Sequence, residues 1–258
     1  MPTALISGAS SGIGLELAKL MAKDGMDLIL VARSANKLSQ LAQDLQQQYR
    51  IQVTVIAQDL CQPNAVSSLT AKLGTQPIDI LVNNAGCGDF GLFQDVEWRQ
   101  YHQTIQLNMT ALTELTHAVL PQMIARNQGK IVNLASTAAF QPLPWMAVYA
   151  ATKSYVLSLS EALAFELRHT GVDVLAICPG ATKTGFASAA NGVSSNNFAD
   201  QNTASATDVA QFVVQKIKRQ HRGVAVHGFK NLAMSYMSPI SPKAIVLRMA
   251  ERVMRPSS

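Results

Sequence analysis

In the stretch VYAATK, residues 148–153, a tyrosine and a lysine stand four positions apart, Tyr149 and Lys153. The run that follows is apolar-patterned at helical spacing, and residues at i and i+4 share one helix face. Taken alone, such a pair reads as a packing contact, the tyrosine ring against the lysine stem. Ser136, at the end of an apolar strand-like run, lies thirteen residues upstream. Together the three side chains offer proton transfer to and from an oxygen. A free phenol has a pKa of about 10, poorly matched to neutral pH, and a nearby ammonium favours the phenolate and lowers that value. A serine hydroxyl can steady the charge that develops on the reacting oxygen.

A second group of residues suits phosphate binding. Directly after the first strand comes SGASSGIG, with Gly8, Gly12 and Gly14 between a strand and a helix, and with Ser10, Ser11 and Ile13 among them. Glycines let backbone approach a pyrophosphate, and a helix N-terminus supplies free N–H groups and the positive end of its dipole. The bland alternative is a tight βα turn. No GK[ST] follows, which disfavours a P-loop nucleotidase. At the end of the second strand, where an acid would bind the ribose 2′-hydroxyl of NAD, the sequence reads VARS. Arg33 and Ser34 occupy that spot, and an arginine fork suits a 2′-phosphate. NADP(H) is therefore the expected cofactor, with NAD(H) the alternative.

The elements that must position these residues alternate regularly. Strand-like runs at 3–7, 27–33, 52–58, 79–82, 130–136, 172–178 and 223–226 are separated by helical patterns, including a long one from about 95 to 126 with internal breaks. Short, fully apolar strands between helices predict an α/β fold: a doubly wound, Rossmann-type parallel sheet of about seven strands with helices on both faces. No composition break marks a second domain, so residues 1–258 read as one domain with a polar loop at 184–206 and a Met-rich, basic tail at 229–258. The chain has 258 residues, 48% of them hydrophobic, which is ample for a core, and three cysteines without ligand spacing. They read as reduced packing thiols, Cys87 as a small buried hydrophobe, and no metal site is expected. The absence of a leader-like N-terminus or a long apolar span predicts a cytoplasmic protein. The net charge of +5 is dispersed and no nucleic-acid-binding signature accompanies it, so nucleic acid is not expected as a partner.

Further stretches fall into register with these. NNAG (83–86) follows the fourth strand, Asn108 lies in the long helical run, and PGATKT (179–184) follows the sixth strand. With SGASSGIG, Ser136 and YAATK, they resemble the short-chain dehydrogenases/reductases of about 250 residues, in order and spacing over residues 3–226. The resemblance implies NAD(P)-dependent carbonyl/alcohol chemistry with Asn108, Ser136, Tyr149 and Lys153 as the catalytic set. It places Gly8, Ser10, Ser11, Gly12, Ile13 and Gly14 at the pyrophosphate. Asp59 and Leu60 fall at the adenine, and Asn83, Asn84, Ala85 and Gly86 beside the adenosine ribose. Pro179, Gly180, Thr182 and Thr184 match the nicotinamide side, and Lys153 would hold the nicotinamide ribose. Ser7, Ala135 and Thr182 depart mildly from the usual pattern and remove no chemical function. Non-catalytic NADP(H) sensing and a dehydratase or epimerase role are the competing readings.

Substrate recognition is expected after strand C-termini, from GDFGLF (88–93), FQPLPWM (140–146) and loop 184–206. These offer Phe90, Phe93, Phe140, Leu143, Trp145, Met146, Phe186 and Phe198 as an apolar wall, with the loop as a lid. In the tail, Ile245, Met249 and Val253 share a helix row, between Arg248, Arg252 and Arg255. The row would pack on the core or another subunit, a homodimer or homotetramer being implied by the resemblance; contact with an anionic membrane surface is the less favoured alternative.

Overall fold

The computed structural model describes residues 1–186 and 203–255. Strands β1 (Thr3–Ser7), β2 (Asp27–Ala32), β3 (Val53–Ala57), β4 (Ile80–Asn83), β5 (Gly129–Leu134) and β6 (Val172–Cys178) are joined by helices α1 (Gly12–Lys23), α2 (Ala35–Tyr49), α3 (Ala65–Leu73), α4 (Trp98–Ile105) and α5 (Leu112–Ala125). Helix α6 (Ala147–Glu166) leads into β6. Two short strands follow, β7 (Thr182–Lys183) and β8 (Ala204–Ser205). Then come α7 (Ala206–Lys218), β9 (Gly223–Val226), α8 (Phe229–Ile240) and α9 (Lys243–Met254).

Seven strands form one parallel sheet in the order β3-β2-β1-β4-β5-β6-β9. The order reverses between β1 and β4, which opens a crevice at the strand C-termini. Alternation along each strand feeds two cores. Ala4, Ile6, Leu28 and Leu30 pack with Leu17 and Met21 of α1 on one face, while Leu5, Ile29 and Leu81 pack with Leu69, Leu115 and Val119 on the other. The period-2 pattern of fully buried strands carries this layering directly.

The expected strand and helix positions are borne out for the seven sheet strands. The break expected inside the long helical run at 95–126 is a π-helical stretch, Gln106–Ala111. Two features differ. Helix α7, which no periodicity singled out, starts at a capping box in which Ser205 and Asp208 exchange side-chain and backbone hydrogen bonds. In the tail, the buried row is Val246, Ala250 and Met254, one position beyond the row read from the sequence. Both rows are apolar at helical spacing, so periodicity alone does not choose between them. Part of loop 184–206, including Phe198 and the lid assignment, lies outside the described residues.

Candidate active site

The crevice holds a cavity of about 850 Å³. One end of it lies against the β1–α1 turn. Gly8 has φ +70, and a Cβ there would sit 2.8 Å from Asn84 Nδ2. Asn84 anchors that turn: its Nδ2 donates to the carbonyls of Ser7 at 2.9 Å and Gly8 at 3.2 Å. The Ser7 hydroxyl accepts from the backbone N–H groups of Asn84 and Ala85, each at 3.0 Å. Ser10, Ser11, Gly12 and Ile13 face the cavity. Gly14 does not. Its missing Cβ lets α1 lie against the Gly8 carbonyl, so its part is to bring helix and strand together.

Arg33 and Ser34 at the end of β2, and Asp59 and Leu60 after β3, line the same end. Ala85, Gly86 and the β6-end residues Pro179, Gly180, Thr182 and Thr184 continue it inward. Asn83 turns away from the cavity. It is buried, its Nδ2 donating to Thr116 Oγ1 and to Asn133 Oδ1, each at 2.9 Å. The sequence reading placed it beside a ribose; the alternation of β4 points it into the protein instead.

Ser136, Tyr149 and Lys153 meet in the middle of the cavity wall. Ser136 caps a 3₁₀ turn, its Oγ accepting from Ala138 N at 3.1 Å. Tyr149 is the third residue of α6 and its ring leans on Phe186 at 5.3 Å between centroids. Lys153 is buried, its Nζ donating to the Leu134 carbonyl at 2.7 Å and lying 5.8 Å from the Tyr149 ring centroid. Burial pushes the phenol up to about 12, against the pull of the Ser136 hydroxyl. It also pushes the lysine down to about 8. The direction is opposite to the expectation of a phenol lowered by its neighbour: desolvation, which disfavours both charged forms, is the largest cause at each group. The phenol stays protonated at neutral pH, while the lysine still keeps its proton there.

Asn108 does not face the cavity. It sits in the π-helical stretch, buried, its Oδ1 accepting from Cys87 N at 3.0 Å and its Nδ2 donating to Cys87 O at 2.9 Å and Thr152 Oγ1 at 3.0 Å. It thereby ties the segment after β4 to α6, at the residue just before the lysine. A π-helical stretch widens a helix locally and recurs near functional sites. Cys87 lines the cavity instead of lying wholly in the core.

Sequence reasoning missed Asp89. Only 2% of it is exposed, and Oδ2 has no hydrogen-bond partner. Burial raises its carboxyl above the ordinary value, with the Thr104 side chain and the Tyr149 backbone pulling the other way. The N-cap of α6 is Met146, which offers no capping side chain, and the first turn contains no acid. Asp89, from another element, lies close to the backbone of this first turn, at the residue that carries the phenol. A signal was present in the helix itself, which begins without a Ser, Thr, Asp or Asn.

At the far end the wall is apolar. Phe90, Leu143, Met146 and Phe186 take part as expected, whereas Phe93, Phe140 and Trp145 do not. Phe93 is exposed and stacks on Tyr101 at 5.1 Å, and Phe140 packs against a small core cluster. In their place stand Met234 and Met237 of α8 and Val246, Met249 and Val253 of α9. Among the described residues no cluster of three metal-ligating side chains occurs, and no helix is long and apolar enough to cross a membrane.

The chain is similar to known proteins. A family model described as short chain dehydrogenase fits residues 2–194. A sulfoacetaldehyde reductase of Chromohalobacter salexigens is 36% identical over 217 residues, 81% of this chain and 85% of that protein. Among solved structures, a short-chain dehydrogenase from Sphingobium yanoikuyae in complex with NADPH is 34% identical, with a TM-score of 0.83 and 89% of each chain covered. A bulky-bulky ketone specific alcohol dehydrogenase from Comamonas testosteroni is 31% identical, with a TM-score of 0.79, covering 92% of this chain and 91% of that one.

Proposed function

We propose, from the premise that the chain belongs to the short-chain dehydrogenase family, that this oxidoreductase uses NADP(H) to interconvert apolar, bulky ketones or aldehydes and their alcohols. The observation that carries the reading is the meeting of Ser136, Tyr149 and Lys153 in one wall, between a glycine cradle and an apolar chamber. The glycine turn at Gly8, where a Cβ would collide with Asn84 and Ala85, suits a dinucleotide pyrophosphate. Arg33 is the group that would pair with a 2′-phosphate. When bound, the nicotinamide supplies or accepts the hydride.

The protein's own groups handle the proton. Tyr149 Oη, held protonated, donates to the carbonyl oxygen as charge builds there. Ser136 Oγ donates a second hydrogen bond to the same oxygen and steadies it. Lys153, held by the Leu134 carbonyl, keeps two donors for a ribose hydroxyl and for the phenolate left after transfer. Asn108 fixes the backbone opposite that lysine. A phenol with its pKa raised suits the reductive direction, in which it starts as the acid. The apolar chamber suits a hydrocarbon-rich substrate, in line with the ketone preference named for the Comamonas enzyme.

The test is a panel of ketones and aldehydes followed by NADPH absorbance. We expect turnover with bulky apolar ketones. Tyr149→Phe should lower it at least a hundredfold while NADPH binding, read by fluorescence titration, persists. Turnover that survives the substitution would overturn the assignment, and a clear preference for NADH would overturn the role of Arg33.

A further inference from the structure

We propose that the outer face of α8 and α9 seats this protein on an anionic lipid surface, with the apolar end of the cavity opening toward the bilayer. Helix α8 is inverted relative to an ordinary surface helix, which turns its apolar stripe inward. At 100° per residue, Asn231, Ser235 and Ser238 share one side, and that side faces the protein. Ser235 is buried, and Ser238 Oγ donates to Gln141 Oε1 at 3.1 Å. Asn231 Nδ2 donates to the His227 carbonyl at 2.8 Å. The opposite side carries Phe229, Tyr236, Met237 and Ile240, exposed at 85, 73, 61 and 84%. On α9 the row Ile245, Met249 and Val253 is exposed beside the buried row, and the same helical angles put Arg248 and Arg252 next to it.

Large apolar side chains exposed in this number mark an interaction site, and the charge beside them selects the occupant. The segment 229–255 has five basic side chains, Lys230, Lys243, Arg248, Arg252 and Arg255, against one acid, Glu251. A second copy docked by this face would set cations against cations. Anionic headgroups complement them, each basic residue near such a surface strengthening binding roughly fivefold, while exposed Phe, Tyr and Ile side chains enter the acyl boundary. The same helices lend Met234, Met237 and Met249 to the cavity wall. A hydrocarbon-rich carbonyl compound dissolved in the bilayer would thus meet a path to Tyr149. That last step rests on the function proposed above; the docking does not.

Co-sedimentation with phosphatidylcholine vesicles, with and without phosphatidylglycerol, tests the docking without any assay of activity. The full chain is expected to bind the anionic vesicles at least tenfold more tightly, and 0.5 M salt should weaken that binding. Phe229→Ser with Ile240→Ser should abolish it, and Arg248→Glu with Arg252→Glu should remove the anionic preference. None of these four positions lines the cavity, so turnover of a water-soluble ketone is expected to be unchanged in both variants. That readout keeps a failed reaction assignment distinct from failed docking. Equal binding to both vesicle types, or no binding, would overturn the proposal. So would sedimentation equilibrium showing an oligomer that Phe229→Ser with Ile240→Ser dissolves, because the face would then be a subunit interface.

Discussion

Asp89 holds a charge-bearing group where water does not reach. Burial pushes its carboxyl above the ordinary value of 3.8, against the pull of hydrogen bonds from Thr104 and the Tyr149 backbone. A folded-state value above the unfolded one means that the native protein holds the proton more tightly. The carboxylate therefore costs stability once pH rises through the folded value, and the cost is absent when both states are protonated. Asp89→Asn keeps an acceptor and loses the charge. It is expected to melt higher than the parent at pH 7, with the gap closing toward pH 4; a gap independent of pH would show that the carboxyl is not penalised. Tyr149, Lys153 and Ser136 were legible in the sequence because their types and short spacing state a chemistry together. Asp89 was not, because its partner on α6 is sixty positions away and burial alone makes it unusual.

At the scale of elements, buried polar links fix β4, β5, α5 and α6 to one another. Asn83 bonds Thr116 and Asn133, and Asn133 Nδ2 donates to Ser160 Oγ at 2.9 Å. Ser160 in turn donates to the Val156 carbonyl at 2.6 Å. All four side chains of this chain of bonds are buried. Asn133→Ala strands donors and acceptors on both sides and leaves a void, so a loss of about 2–4 kcal/mol is expected in urea unfolding. A loss below 1 kcal/mol would mean that the network closes over the gap. Strands were readable because their apolar runs are short and bounded. The π-helical stretch was not, since its residues keep helical spacing and nothing in their types marks the wider turn. Helix α7 had its signal in Ser205 and Asp208, three apart, at the edge of a polar stretch that read as loop.

Across the whole molecule the order of the seven strands follows from regular βα alternation with right-handed crossovers. The cavity wall does not, because Met234 and Val246 come from segments about a hundred positions after Tyr149 and the fold alone brings them back. The response to alkaline pH is likewise a sum over distant groups. Burial pushes Cys178 and Cys61 up to about 12 from 9.0, and raises Cys87 as well. The unfolded chain therefore releases thiol protons above pH 9 that the folded chain keeps, and the stability these thiols contribute is lost between 9 and 12. Lys153 works the other way. Lowered to about 8 from 10.5, it favours folding increasingly as pH rises through that window. Tyr149, raised from 10.0 to about 12, joins the thiols above 10. Several groups against one predict a melting temperature that holds between pH 8 and 9 and falls beyond it. Cys178 is fully buried, so Cys178→Ala should cost some packing at pH 7, yet its melting temperature should decline less steeply between pH 9 and 10.5. A decline as steep as the parent's would remove Cys178 from the groups that set the alkaline limit.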